Sequence, residues 1–368
     1  MLSVAAKEGV FFLWKGHGQR WHRLGPTLRG KMIMAMATDA ERRTVYVSSY
    51  KEGVFRSTDY GQTWEDITDD LPFKDVRALA VSPHDPHTVY AGTEPPGVFV
   101  RRGDEPHWTE CGHLREHPRA REWSFPVPPR VPHVRTLEVS PRDPRVLYAG
   151  IEVGSFLISR DGGEHWEAAE GIGHDIHRLI IHPARPERLI VATGDDTPPY
   201  KQLGGFGIYR SDDEGRSWRQ ANEGLDFRTY CEDAIAFHPE NPETLFLAAA
   251  DGIPPRWASM SKLAVGVLTG HVYFLSPSKL RRRKGADVVL FRSRNAGERW
   301  DPIMNGLPER LFDMVWALDA GPTNGGMSVY FGTTGGDIYA TDDEGESWHK
   351  IAEGLKGISH LKVLRDRQ

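Results

Sequence analysis

The sequence predicts an all-β fold, a seven-bladed β-propeller with Asp-box turns and a ring closed by pairing the N- and C-terminal strands. Three observations carry this. A box of the form S/T-x-D/N-x-G-x-x-W recurs at Ser57–Trp64, Ser159–Trp166, Ser211–Trp218, Ser293–Trp300 and Thr341–Trp348. A second phrase precedes the boxes, with Val76–Gly92 and Val134–Gly150 as its clearest copies: an apolar run, a Pro-rich turn and another apolar run. The chain also has 38 Gly and 26 Pro and no long stretch of helical period. Four antiparallel strands per repeat, at a period of about 40–50 residues, is the signature of propeller blades.

Each box reads as the turn of a β-hairpin joining strands c and d. The Asp or Asn oxygen accepts from backbone N–H groups of its own turn. The Ser or Thr hydroxyl bonds locally. The Gly takes a backbone conformation with positive φ. The Trp is an apolar wedge with one donor, suited to the gap between neighbouring sheets. Local turn chemistry explains every feature of the box, so the boxes count as structure and not as chemistry.

The Trp residues that end the boxes count the blades. Trp64, Trp166, Trp218, Trp300 and Trp348 mark five, and Trp108 and Trp21 mark two more with eroded boxes. Seven is the resulting count, with six and eight as alternatives. The first repeat has strands at Leu2–Ala6, Val10–Trp14 and Trp21–Leu24 but lacks an inner strand. A spare strand, Ile358–Leu364, follows the last box and fills that gap, which also removes exposed edges. The whole chain, 1–368, reads as one propeller with insertions at 113–130, 194–206 and 251–285. In a four-stranded meander these lie on the face opposite the boxes. Elaborated loops on a rigid scaffold are where binding and chemistry usually sit.

A net charge of −5 gives no electrostatic case for nucleic acid. Cys111 and Cys231 cannot make a disulfide framework, and the N-terminus lacks the basic region of a signal peptide. Both readings place the protein in the cytoplasm. No window reaches the length of a membrane span.

The inner strands begin on the insertion face. Aligned on the Pro that ends each of them, they bring Arg77, Arg135, His177 and Asp233 to one rim, with Ile33 and Trp316 at the same spot in blades 2 and 7. Two residues earlier lie Asp75, His133, Asp175 and Cys231, and the b–c loops add Glu94, Glu152 and Asp195. Several chemistries fit this ring. Its carboxylates could serve as general acid and base, with Glu152, His177 and Asp233 as catalytic candidates. Arg77 and Arg135 could clamp an anionic group. His133 and His177 could hold a divalent metal in the central channel. Internal salt bridges around a water-filled channel are the plain alternative. Trp123, Tyr200 and Trp257 in the insertions are candidates to stack on a ligand, or to pin the loops down. The run Leu263–Leu275, followed by Arg281–Lys284, reads as a lid, a homo-oligomer contact or a membrane-surface foot.

The boxes, the seven-fold count and the Ser-Pro-x-Asp-Pro phrase resemble the BNR/Asp-box repeat proteins over nearly the whole chain. That superfamily includes sialidases, xyloglucan-active glycoside hydrolases, sortilin-type receptors and photosystem II assembly factors. The Arg-Ile-Pro motif of sialidases is missing, so the resemblance is to a sialidase-like scaffold and not to a true sialidase. It implies a β-propeller with a small-molecule or glycan ligand. The expectation is an enzyme of hydrolase or lyase type. Its substrate would be small and polar, anionic or glycosidic, bound at the top-face channel mouth. The alternative is a non-catalytic binding or assembly scaffold that presents the same loops.

Overall fold

The computed structural model describes all residues except 17–19, 104, 126–128, 195–205, 227, 229, 251–284, 324–325 and 366–368. The described residues form seven four-stranded antiparallel sheets, the blades of a propeller. The inner strands a of blades 1 to 7 are His360–Val363, Ile33–Thr38, Asp75–Val81, Val134–Val139, Ile176–Ile181, Tyr230–Phe237 and Val315–Thr323. The ring closes as the repeat count requires. His360–Val363 pairs with Leu2–Ala6, Val363 opposite Leu2 and His360 opposite Ala5. No helix among the described residues is long and apolar enough to cross a membrane.

The blades hold together through apolar clusters that each lie between two neighbours. Phe12, Val47 and Phe55 fill the gap between blades 1 and 2. Phe246, Phe331 and Trp348 fill the gap between blades 6 and 7. Burying a side chain of this size is worth about 1.5–3 kcal/mol. The boxes reinforce the same seams. In the first, the Gly61 N–H donates to Ser57 Oγ at 2.8 Å and the Thr63 N–H to Asp59 Oδ1 at 2.9 Å. Gly61 has φ +76°, and a Cβ there would meet the Phe12 ring of the preceding blade. Asn295 keeps the acceptor role of the Asp, receiving the Arg299 N–H at 3.0 Å. The box indoles reach back one blade: Trp108 Nε1 donates to Ile67 O, Trp166 to Cys111 O, Trp300 to Ala221 O and Trp348 to Ile303 O. Trp218 bonds its own turn instead, at Gly215 O, and sets its ring edge-on to Phe156.

The insertion at 113–130 carries two short 3-10 turns, Leu114–Glu116 and Ala120–Glu122. Leu114 is fully buried. Most of the other two insertions, with Asp195, Tyr200, Trp257 and the Leu263–Leu275 run, lies outside the described residues, as does the oligomer contact expected there.

Candidate functional site

A shared irregularity frees one inner-strand side chain per blade from the ladder, and in three blades that side chain lines the channel. Near its start, the inner strand of blades 2, 3, 4, 5 and 7 slips by one residue against strand b. The residue that slips out is Met34, Arg77, Arg135, His177 or Trp316. In blade 6 the irregularity spans Cys231 to Ile235, releasing Glu232 and Asp233. A bulge of this kind re-aims a side chain that a regular ladder would turn elsewhere. It corrects the alignment in blade 2. Met34, and not Ile33, is the residue that leaves the ladder; Ile33 stays in register opposite Ser49 and is buried.

The rim residues join in one chain of ion pairs across blades 3 to 6. Arg77 Nε lies 2.7 Å from Asp75 Oδ1, and its Nη2 lies 2.8 Å from Glu94 Oε2. His133 stands between two carboxylates, with Nδ1 3.5 Å from Glu94 and Nε2 3.0 Å from Glu152. Arg135 continues the chain to Glu152 at 3.2 Å, Glu232 at 3.4 Å and Asp233 at 2.6 Å. His177 ends it between Asp175 at 3.2 Å and Glu232 at 3.4 Å. The Tyr230 hydroxyl donates to Glu232 Oε1 at 2.7 Å.

Six carboxyl groups thus face two guanidiniums and two imidazoles, and their surroundings displace several of them in different directions. Burial raises Glu94, with Arg77 opposing and Asp75 adding to the rise. Burial also raises Glu232, against the pull of His177 and Arg135. Glu152 goes the other way. Burial pushes it up, but the hydrogen bond and charge of His133, with Arg135 and His177, hold it well below the usual carboxylate range. Burial disfavours the imidazolium of His177, yet Glu232, Asp175 and Glu152 together raise it well above its ordinary value. Carboxyls driven in opposite directions within one site are what acid–base chemistry requires.

The structure therefore gathers Arg77, Glu94, His133, Arg135, Glu152, His177 and Asp233 as expected, and adds Glu232 and Tyr230. The trace of Glu232 in the sequence is a polar pair, Glu232-Asp233, inside an otherwise apolar strand, and Tyr230 leaves none. Two expectations are corrected. The Trp123 indole is buried, stacks on His117 and donates to Ser155 Oγ at 3.1 Å. It pins the insertion to blade 4 and presents no face to a ligand. The Cys231 side chain lies in the core between blades 5 and 6, and only its carbonyl reaches the site, at 2.8 Å from His177 Nδ1. An exposed aromatic does stand at the rim: Tyr50 is 41% exposed, with the Arg77 guanidinium 5.5 Å from its ring centroid. For a divalent ion, the ligand atoms that converge are those of Glu152, Asp175 and His177, all within 4.8 Å of one another. Among the described residues His133 does not join that set.

Below the rim the axial channel encloses about 560 Å³. Arg77, Arg135, Asp233 and Trp316 line its upper end, and the Pro-rich a–b turns line its lower end.

Fold and site together define a seven-bladed propeller with a charged, largely buried network at one mouth of its channel. No family model matches the chain. It is 22% identical to the oligoxyloglucan-reducing end-specific xyloglucanase of Emericella nidulans, over 97% of this chain and 51% of that protein. Among solved structures it resembles the GH74 xyloglucanase of Xanthomonas campestris (17% identity, TM-score 0.58), covering 95% of this chain and 46% of the other. The GH74 enzyme of Niastella koreensis gives 14% identity and a TM-score of 0.59, covering 87% and 45%. The chain thus spans about half the length of these relatives. A structure of YCF48 bound to D1 peptide is matched over 92% of this chain and 85% of that one, with 16% identity and a TM-score of 0.53.

Proposed function

We propose that the chain hydrolyses glycosidic bonds at the top-face mouth, with Glu94 as general acid and Glu152 as its ionised partner. One observation carries this reading: the two carboxyls flank a single imidazole, His133, and their proton affinities are displaced in opposite directions, Glu94 upward by burial and Glu152 downward by His133 and Arg135. Arg77 holds Glu94 in place and lies over the half-exposed Tyr50 ring, which Lys51 also approaches. Asp233 and His177 act as positioning residues. Asp233 fixes Arg135, and His177 backs Glu232. The xyloglucanase relatives support the substrate class.

The test is turnover of β-linked gluco- and xylogluco-oligosaccharides, followed by product analysis and polarimetry. Glu94→Gln and Glu152→Gln should each lower kcat by about 10²–10⁴-fold without loss of fold. No turnover across the panel, or full rate in both variants, would sink the reading.

A second reading, a binding scaffold, is favoured by one observation: each carboxyl of the network has an Arg or His partner. The full-length match to a peptide-bound propeller supports it. It expects capture of a partner by the exposed top-face residues Met32, Tyr50 and Phe312, with no turnover. Unchanged capture by Phe312→Asp would count against it.

A further inference from the structure

Five Lys and Arg side chains line the channel beneath the mouth, and four of them are paired. Arg77 and Arg135 belong to the rim network. Arg178 lies 3.2 Å from Glu138, and Arg42 lies 2.7 Å from Asp319. The fifth, Lys362, faces the same channel from the closing strand and makes no ion pair or side-chain hydrogen bond among the described residues. Around it the wall is built from small residues, Ala35, Ala78 and Ala317, which leave the channel open.

A half-buried ammonium with no direct ion pair is an unfavourable arrangement, and two carboxylates of the same wall, Asp319 and Glu138, are already engaged by Arg42 and Arg178. Such a group gives up its proton or acquires an anion. Two further cations stand in the same wall, Arg178 and Arg42, each offset by the carboxylate it pairs with, and their guanidiniums keep N–H groups to offer an anion held by Lys362. Burial and these two cations already press Lys362 below its ordinary value, against the pull of Asp319 and Glu138.

We propose that the channel beneath the mouth is a binding site for a small oxyanion, a carboxylate or a phosphate, held by Lys362 with Arg178 in support. The ammonium supplies a charge-assisted hydrogen bond, and the open wall supplies room for the group that carries the anion. The proposal rests on the channel wall alone and stands whether or not the mouth hydrolyses a glycoside.

Calorimetric titration with inorganic phosphate and with D-glucuronate, against chloride at equal ionic strength, tests it. Saturable binding of at least one probe is expected. It should weaken by about tenfold or more in Lys362→Met and stay within about threefold in Lys362→Arg. Tighter binding of phosphate than of glucuronate assigns a phosphate ligand, and the reverse order a sugar acid. No saturable response to either probe, or equal affinity in Lys362→Met, would overturn the proposal. Should Lys362→Met fail to fold, wild-type crystals soaked in selenate decide the matter. Anion density beside Lys362 Nζ supports the site, and a channel without it refutes the site.

Discussion

Asp319→Asn removes one charge from the seam where the ring closes. Asp319 is buried on the inner strand of blade 7. Its Oδ2 accepts from Arg42 Nη1 at 2.7 Å and from the Val363 N–H at 2.8 Å, and Arg42 also donates to Val363 O at 3.0 Å. One carboxylate therefore ties the a–b turn of blade 2, blade 7 and the closing strand of blade 1. Breaking a buried ion pair costs about 3–5 kcal/mol. Arg42 is 31% exposed and regains some hydration, so about 3 kcal/mol is the expected loss. An unfolding entropy near 2.1 cal/mol/K per residue converts this, for 368 residues, to a fall in Tm of about 4 °C. Burial pushes Asp319 up, but Arg42, Lys362 and the Val363 N–H outweigh it and hold it below the ordinary value. A depressed carboxyl contributes stability that is complete above the unfolded pKa, near 4, and fades as the pH falls through the folded value. Scanning calorimetry of wild type and Asp319→Asn should show the full gap at pH 7 and a closing gap below about pH 4. A gap under about 1 °C at pH 7, or one that persists unchanged in acid, would refute the reasoning.

Two further outcomes follow from the packing. Arg135→Met leaves Glu152, Glu232 and Asp233 without their guanidinium and should cost about 3–5 kcal/mol in urea unfolding at neutral pH; a loss below about 1 kcal/mol would show that the network is not held by Arg135. Gly61→Ala forces a side chain into a positive-φ position and against Phe12, and should cost about 2–4 kcal/mol by the same measurement, whereas an unchanged midpoint would mean that blades 1 and 2 part freely at that turn.

The ring was legible in the sequence because its signals are local. A Ser, an Asp and a Gly at fixed offsets make one turn wherever they occur, and the turns count the blades. The closing strand was legible by difference, since the first repeat lacks an inner strand and Ile358–Leu364 has no other place. The rim was only partly legible. Which residue leaves the ladder depends on the register between strands a and b, and register is a property of the pair. Alignment on the terminal Pro located Arg77, Arg135, His177 and Trp316, whose bulges coincide, but it chose Ile33 over Met34 and passed over Glu232. Trp123 failed for another reason. An aromatic in an insertion reads the same whether it faces a ligand or the scaffold, and only its contacts with His117 and Ser155 Oγ separate the two.

The seam between Leu2–Ala6 and His360–Val363 also sets an order of events during synthesis. Blade 1 takes three strands from residues 2–27 and its fourth from residues 360–363, so its sheet is completed only after residue 363 has left the ribosome. The other six sheets can pair in sequence as they appear, each against the one before. Only the last contact spans the whole ring, and contacts of such separation are slow to form. Until then Leu2–Ala6 is an open edge, able to pair with another strand.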